Sequence, residues 1–161
     1  VYLAVTLGVV GAGGTYACGR IADRASATDP RRKLLALATL QLLLAVTLPL
    51  ALLAGSPFTV AALLIVPCAI LAGYIGPTLA LLQGIVDPRA RALSAAIVLF
   101  FVNLVGAGIG PFAVGAISDA LAVAAGPESL RYALLVTPLL CVWSAAHYWF
   151  AMPTLAGELR E

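Results

Sequence analysis

"LLALATLQLLLAVTLPLALLAGSPFTVAALLIVPCAILAGYIGPTLALLQGIV", from Leu34 to Val86, contains no Asp, Glu, Lys, Arg or His. A second uncharged stretch runs from Ala92 to Ser118. Over the 161 residues, 63% are apolar and 10% charged, against about 45–50% apolar and about 25% charged in soluble domains. A water-soluble fold of this size has too much surface to be wetted by so few polar groups. The composition predicts an all-α integral membrane protein, because a helix satisfies its backbone polar groups internally where no water is available.

The same counts exclude several functions. A net charge of +2, with no basic face interleaved with aromatics, excludes nucleic acid as a partner. Cys18, Cys68 and Cys141 stand singly in apolar stretches, with neither a CxxC pair nor a Cys/His cluster. They read as small buried hydrophobes, and no metal site or cofactor is expected. The chain opens on Val1 and has its sole methionine at Met152, so a fragment or processed piece is expected. The first apolar run lacks the basic leader and cleavage pattern of a signal peptide.

The uncharged lengths divide at a recurring signal. Asp29-Pro30, Ser56-Pro57, Asp87-Pro88 and Gly126-Pro127 each set an N-cap type before a proline, which suits the first helical position. This punctuation predicts five membrane-spanning helices, at 1–24, 30–54, 57–86, 88–123 and 127–151, with Pro153 after the last. Each supplies the ~20 apolar residues that cross a bilayer core, and the third and fourth are long enough to tilt or protrude. Internal Pro67, Pro77, Pro111 and Pro138 are expected to kink or locally unwind their helices.

With five crossings, Arg20, Arg24, Arg31, Arg32, Lys33, Arg89, Arg91 and Arg160 share one side, and the other has Arg131 alone. The excess places the basic side in the cytoplasm and the first residue outside. Trp143, Tyr148 and Trp149 are expected in an aromatic belt at the inner interface.

The stretch "GRIADRASATDPRRK", Gly19 to Lys33, holds five of the nine basic residues. A cytoplasmic loop is basic for topological reasons alone. Topology does not explain Asp23, an anion at a helix C-terminus, where the macrodipole disfavours it. Arg20, Asp23 and Arg24 are spaced to share one helical face, an arrangement suited to a latch that exchanges partners between two conformations.

Gly19-Arg20-Ile21-Ala22-Asp23-Arg24, followed by Arg31-Arg32-Lys33, resembles the signature loop of the major facilitator superfamily, Gly-x-Leu-Ala-Asp-Arg-x-Gly-Arg-Arg. That loop joins the family's second and third helices and is echoed between the eighth and ninth. Here Ser26 replaces the second glycine, and the basic run follows Asp29-Pro30. The resemblance assigns Gly19, Arg20, Asp23 and Arg24 to a gating loop. In "NLVGAGIGPFAVGAISD", Asn103 to Asp119, the residues Gly106, Gly110, Pro111 and Gly115 resemble the Gly-x-x-x-Gly-Pro-x-x-x-Gly type motif of the family's fifth and eleventh helices. Glycines there would let another backbone approach closely, and Pro111 would bend the helix as a pivot. A dinucleotide-binding reading fails, because these glycines sit inside a membrane helix with no preceding strand.

The order of elements looks like helices eight to twelve of such a transporter, most of one six-helix bundle. "PTLALLQGIVDPRARALSAAIVLFFVNLVGAGIGPFAVGAISD" and "PESLRYALLV" look like the spinster-like and related organic-anion branches. What the resemblance implies is a secondary active permease working by alternating access in the bacterial inner membrane. Its partners would be the bilayer, the missing N-terminal half and a small or amphipathic organic solute.

Polar groups within membrane spans face protein or water. Thr15 and Tyr16 in the first helix, Tyr74, Thr78 and Gln83 in the third, and Asn103 in the fourth meet that description. By resemblance these helices line the central cavity, so Thr15, Tyr16, Tyr74, Gln83 and Asn103 are substrate-pathway candidates, with interhelical hydrogen bonding as the alternative for each. Gln41 falls in what would be the peripheral ninth helix and is set aside. Asp119 is expected to pair with Arg131 across the outer loop, and His147 to sit near the inner aromatic cluster.

Two other classes compete. A non-catalytic membrane scaffold, packing through glycine-rich faces, is compatible with five helices and a latch-like loop. An intramembrane lipid-modifying enzyme would need a nucleophile or metal set. The chain has one histidine, no HExxH, and no Gly-x-Ser-Gly with a partner histidine, so it is not expected to be an enzyme.

Overall fold

The computed structural model describes residues 2–26, 29 and 31–158, with the side chains of 2–7, 26 and 155–158 excepted. Pro30 and Arg160 lie outside the described residues. The elements are α1 (Tyr2–Ser26), α2 (Arg31–Leu52), α3 (Pro57–Gly73), α4 (Ile75–Ile85), α5 (Arg91–Phe101), a π-helical segment (Val102–Ile109), α6 (Gly110–Ala125), a 3₁₀ turn (Gly126–Glu128), α7 (Ser129–Leu134) and α8 (Val136–Glu158). There is no strand among the described residues. Three helical stretches among them are long and apolar enough to cross a membrane: Arg31–Leu52, Pro57–Ile85 and Arg91–Thr154.

The chain divides into two compact units, Val1–Leu81 with Pro138–Glu161, and Leu82–Thr137. In the first, α1 packs against α2 and α3, and α2 packs against α3. Its core gathers Cys18, Leu40, Leu44, Ile70 and Cys141, with Ala45 and Leu48 alongside. All three cysteines are free, Cys18 and Cys141 buried and Cys68 half-buried. In the second unit, α6 packs against α7, and the hydroxyls of Ser118 and Ser129 meet at 3.1 Å.

The four punctuation sites work in four different ways. Asp29 caps α2: its Oδ1 accepts the Arg31 N–H at 2.9 Å, and its carbonyl accepts the Arg32 N–H at 3.0 Å. Ser56 is extended and makes no side-chain cap bond, so the fixed φ of Pro57 starts α3. Asp87 instead closes a turn. Its Oδ1 accepts from Arg89 N–H at 2.8 Å and its carbonyl from Ala90 N–H at 2.9 Å, so α5 begins at Arg91 and not at 88. The short acidic side chain offers the backbone a local alternative to helix. Gly126 ends α6 at φ +54°, a conformation that would cost any other residue about 1–3 kcal/mol. A 3₁₀ turn therefore precedes α7, where a helix starting at 127 is expected from sequence.

Two prolines, Pro77 and Pro138, break their helices three residues upstream, whereas Pro49, Pro67 and Pro153 stay within theirs. A proline in a helix removes the bond to the carbonyl four residues back and crowds it. The break between α3 and α4 falls at Tyr74, three residues before Pro77. The break between α7 and α8 falls at Leu135, three before Pro138, with the Leu135 N–H turned to Tyr132 O at 3.1 Å. Pro67 stays inside α3 and is buried. Pro153 also lies within a helix, since α8 continues to Glu158 and does not end at 151.

Candidate functional site

The end of α1 and the start of α2 form the first candidate. Asp23 Oδ1 lies 3.7 Å from Lys33 Nζ; the Asp23 side chain is 75% exposed and that of Lys33 13%. Each charge sits at the helix end whose dipole disfavours it, an anion near a C-terminus and a cation near an N-terminus. Paired, they neutralise one another across the loop. Arg20 faces elsewhere. Its Nη1 donates to the Tyr16 hydroxyl at 2.8 Å, and the guanidinium carbon stands 5.5 Å from the Tyr16 ring centroid. Arg24 is exposed in the last turn of α1, and Gly19 is half-buried with open space where a Cβ would stand.

Close backbone approach is found at other glycines than those singled out from sequence. At Gly14, a Cβ would fall 2.5 Å from Ala69 Cα and 2.6 Å from Ala69 C, and would also meet Ala69 O. At Gly73 it would fall 2.5 Å from Gly14 O and 2.7 Å from Cys18 Sγ. These are backbone and buried atoms, so α1 and α3 touch because both positions lack a side chain. Gly106 and Gly115 have nothing within 4 Å of that point, and Gly110 has Val105 O of its own helix at 3.4 Å. Pro111 stands in the first turn of α6, directly after the π-helical segment.

The polar candidates fall into the two units. Thr15 Oγ1 lies 2.9 Å from Gly11 O in its own helix and 3.2 Å from Ala72 O of α3. Tyr74, half-buried, occupies the break between α3 and α4. Its carbonyl accepts both the Thr78 N–H at 3.2 Å and the Thr78 hydroxyl at 2.9 Å. In the second unit, Gln83 is exposed, and Asn103 Nδ2 donates to Leu99 O at 2.7 Å.

Sequence reasoning missed two polar positions. Tyr148 is not simply a belt residue: its hydroxyl lies 3.0 Å from Thr78 Oγ1. The one hydroxyl hydrogen of Thr78 serves Tyr74 O, so Tyr148 is the donor into Thr78. Tyr148→Phe should lower stability modestly, by about 0.6 kcal/mol, the average for such bonds in membranes. An unfolding midpoint of the intact protein in detergent checks this; a loss several times larger would mean that Tyr148 does more than join α8 to α4. Gln41, set aside as peripheral, is the buried polar side chain among the described residues, at 8% exposure. Trp143 and Trp149 are exposed, and His147 Nδ1 lies 2.8 Å from Trp143 O. Arg131 pairs with Glu128 at 2.7 Å, three residues away, and not with Asp119. Among the described residues no three His, Cys, Asp or Glu side chains stand together as a metal site would require.

No family model and no solved structure matches the chain. The chain is 35% identical, over 155 residues, to an MFS-type efflux pump of Mycolicibacterium smegmatis (strain ATCC 700084 / mc(2)155). The match covers 96% of this chain and 36% of the pump. The chain thus spans about a third of that relative's length. The described residues are helical and without strands, and along almost its whole length the chain is similar to part of an MFS-type transporter.

Proposed function

We propose that the chain forms helices eight to twelve of a secondary transporter, which moves a small or amphipathic organic solute across the bacterial inner membrane by alternating access. The observation that carries this reading is the similarity to an efflux pump along 96% of the chain. Five crossings would place the basic loops inside and the first residue outside. The rest of the transporter, in this reading, supplies the opposing bundle, and the two halves rock about a midplane site. The branch proposed is spinster-like or a related organic-anion one. The chain carries out no covalent chemistry in this reading.

Within it, Gly19, Arg20, Asp23 and Arg24 act as the gating loop. The Asp23–Lys33 contact is suited to this because it is weak. With its acid 75% exposed and the charges 3.7 Å apart, the pair falls in the range of about 0.2–1 kcal/mol for solvent-screened pairs, small enough to be broken and remade in each cycle. Gly106, Gly110, Pro111 and Gly115 serve as the helix pivot. Thr15, Tyr16, Tyr74, Gln83 and Asn103 are proposed along the solute pathway. Thr15 and Asn103 already spend hydrogen bonds on helix carbonyls.

The test is a solute screen on the intact protein in proteoliposomes, with and without an imposed proton gradient. Movement of an amphipathic organic solute faster than in protein-free liposomes is expected. No excess movement for any solute would leave the membrane scaffold as the better reading.

A further inference from the structure

We infer that Val102–Ile109 is a register switch: this π-helical segment converts to α-helix and, in converting, turns α5 about its axis relative to α6. The inference gives the proposed pivot a mechanism and rests on that reading, but it is read out without transport.

An eight-residue π-helical run is long for a conformation that usually occurs as a single-turn bulge. Its length is marked by Gly110, whose N–H bonds five residues back to Val105 O. In an α-helix the acceptor would be Gly106 O. The next residue is Pro111, which has no N–H to give in either register. The hydrogen-bond register therefore changes beside Pro111 without breaking a bond there.

The other joint is prepared too. The Val102 N–H is shared between Leu99 O and Val98 O. Asn103 donates its side-chain amide to Leu99 O at 2.7 Å, the carbonyl that its own backbone N–H would take in a continuous α-helix. Whichever way the Asn103 backbone turns, Leu99 O keeps a donor. Between the joints lie Gly106 and Gly108, the residue type with the weakest α-helical preference after proline. Every residue from Val102 to Ile109 is exposed, so no described side chain wedges the segment in one register.

Each residue of register gained or lost turns one flank against the other by ~100°. That carries Phe100 and Phe101, both exposed on α5, to a different side of the helix.

The experiment places nitroxides, through a ketone-bearing unnatural amino acid, at Leu93 on α5 and Val123 on α6 of the intact protein in liposomes. Both positions are exposed. Pulsed electron resonance should show two distances in the wild-type background. Pro111→Ala removes the ring that crowds the carbonyl four residues back in the α register, and Asn103→Leu removes the side-chain donor that supports the π joint. Each should move the ratio of the two distances toward the α register, Asn103→Leu by about fivefold, as expected for one net hydrogen bond. Gly108→Ala, whose Cβ would meet Asn103 O only in ordinary contact at 3.8 Å and removes no donor or acceptor of either joint, should move it the same way and serves if Pro111→Ala fails to fold. A single distance in the wild type, or a ratio unchanged by these variants, overturns the switch. Two distances without solute movement would sink the transport reading alone; solute movement with one distance would sink the switch alone.

Discussion

Gly14→Val should unseat α1 from α3 and lower the stability of the intact protein by about 3 kcal/mol, the upper part of the range for overpacked interiors. The reason is what the new side chain meets. Its Cβ would fall within 2.5 Å of Ala69 Cα, and a backbone atom inside a helix has no alternative rotamer. Relief requires moving a helix. Gly13→Ala is the control: nothing lies within 4 Å of its Cβ position, and alanine favours the helix by up to ~1 kcal/mol. Gly13→Ala should therefore leave the midpoint unchanged or raise it. Thermal unfolding of both variants in detergent checks the pair, and equal midpoints for Gly14→Val and wild type would contradict the contact. Gly73→Ala combined with Gly14→Val should lose less than the sum of the two, since both disturb one contact.

In the proposed transporter, Asp23→Asn should impair transport while leaving the fold in place. The Asp23–Lys33 pair is exposed on its acidic side, so its loss costs at most about 1 kcal/mol of stability. The same energy taken from one conformation of the proposed alternating-access cycle shifts the populations by about fivefold. Uptake into proteoliposomes should fall by a comparable factor, with expression and detergent elution unchanged. A Lys33→Asp, Asp23→Lys exchange separates latch from charge. It restores the pair and places each charge at the helix end that favours it, so partial recovery of uptake is expected. Uptake by Asp23→Asn equal to wild type would reduce the stretch to a determinant of orientation.

What the sequence disclosed, and what it did not, follows a physical division. The membrane class was legible because uncharged length is a one-dimensional property. The breaks at Tyr74 and Leu135 trace to Pro77 and Pro138, where covalent geometry acts within one turn. Asp87 misled because an aspartate before proline is equally a helix cap and a turn closer, and only the next three residues decide between them. The close approach was sought at Gly106, Gly110 and Gly115, whose regular spacing makes a visible pattern within one helix. Gly14 and Gly73 carry no such pattern, since the contact pairs one glycine from each of two helices. Tyr148 and Thr78 are separated by 70 residues in the chain, and nothing local in either names the other. Asp23 was legible as an anomaly, but its contact with Lys33, reached from across the loop, was not.

Cys18 gives the glycine contact a built-in clock. It is 3% exposed, its sulfur 4.0 Å from Ala69 O and hard against Gly73. A maleimide has no room to reach it while α1 and α3 are closed, so every alkylation of Cys18 records a moment when they have parted. Half-buried Cys68 on α3 supplies an internal reference for reagent access in the same molecule. The ratio of the two labelling rates measures how often α1 lifts from α3, without a mutation and without knowing the solute.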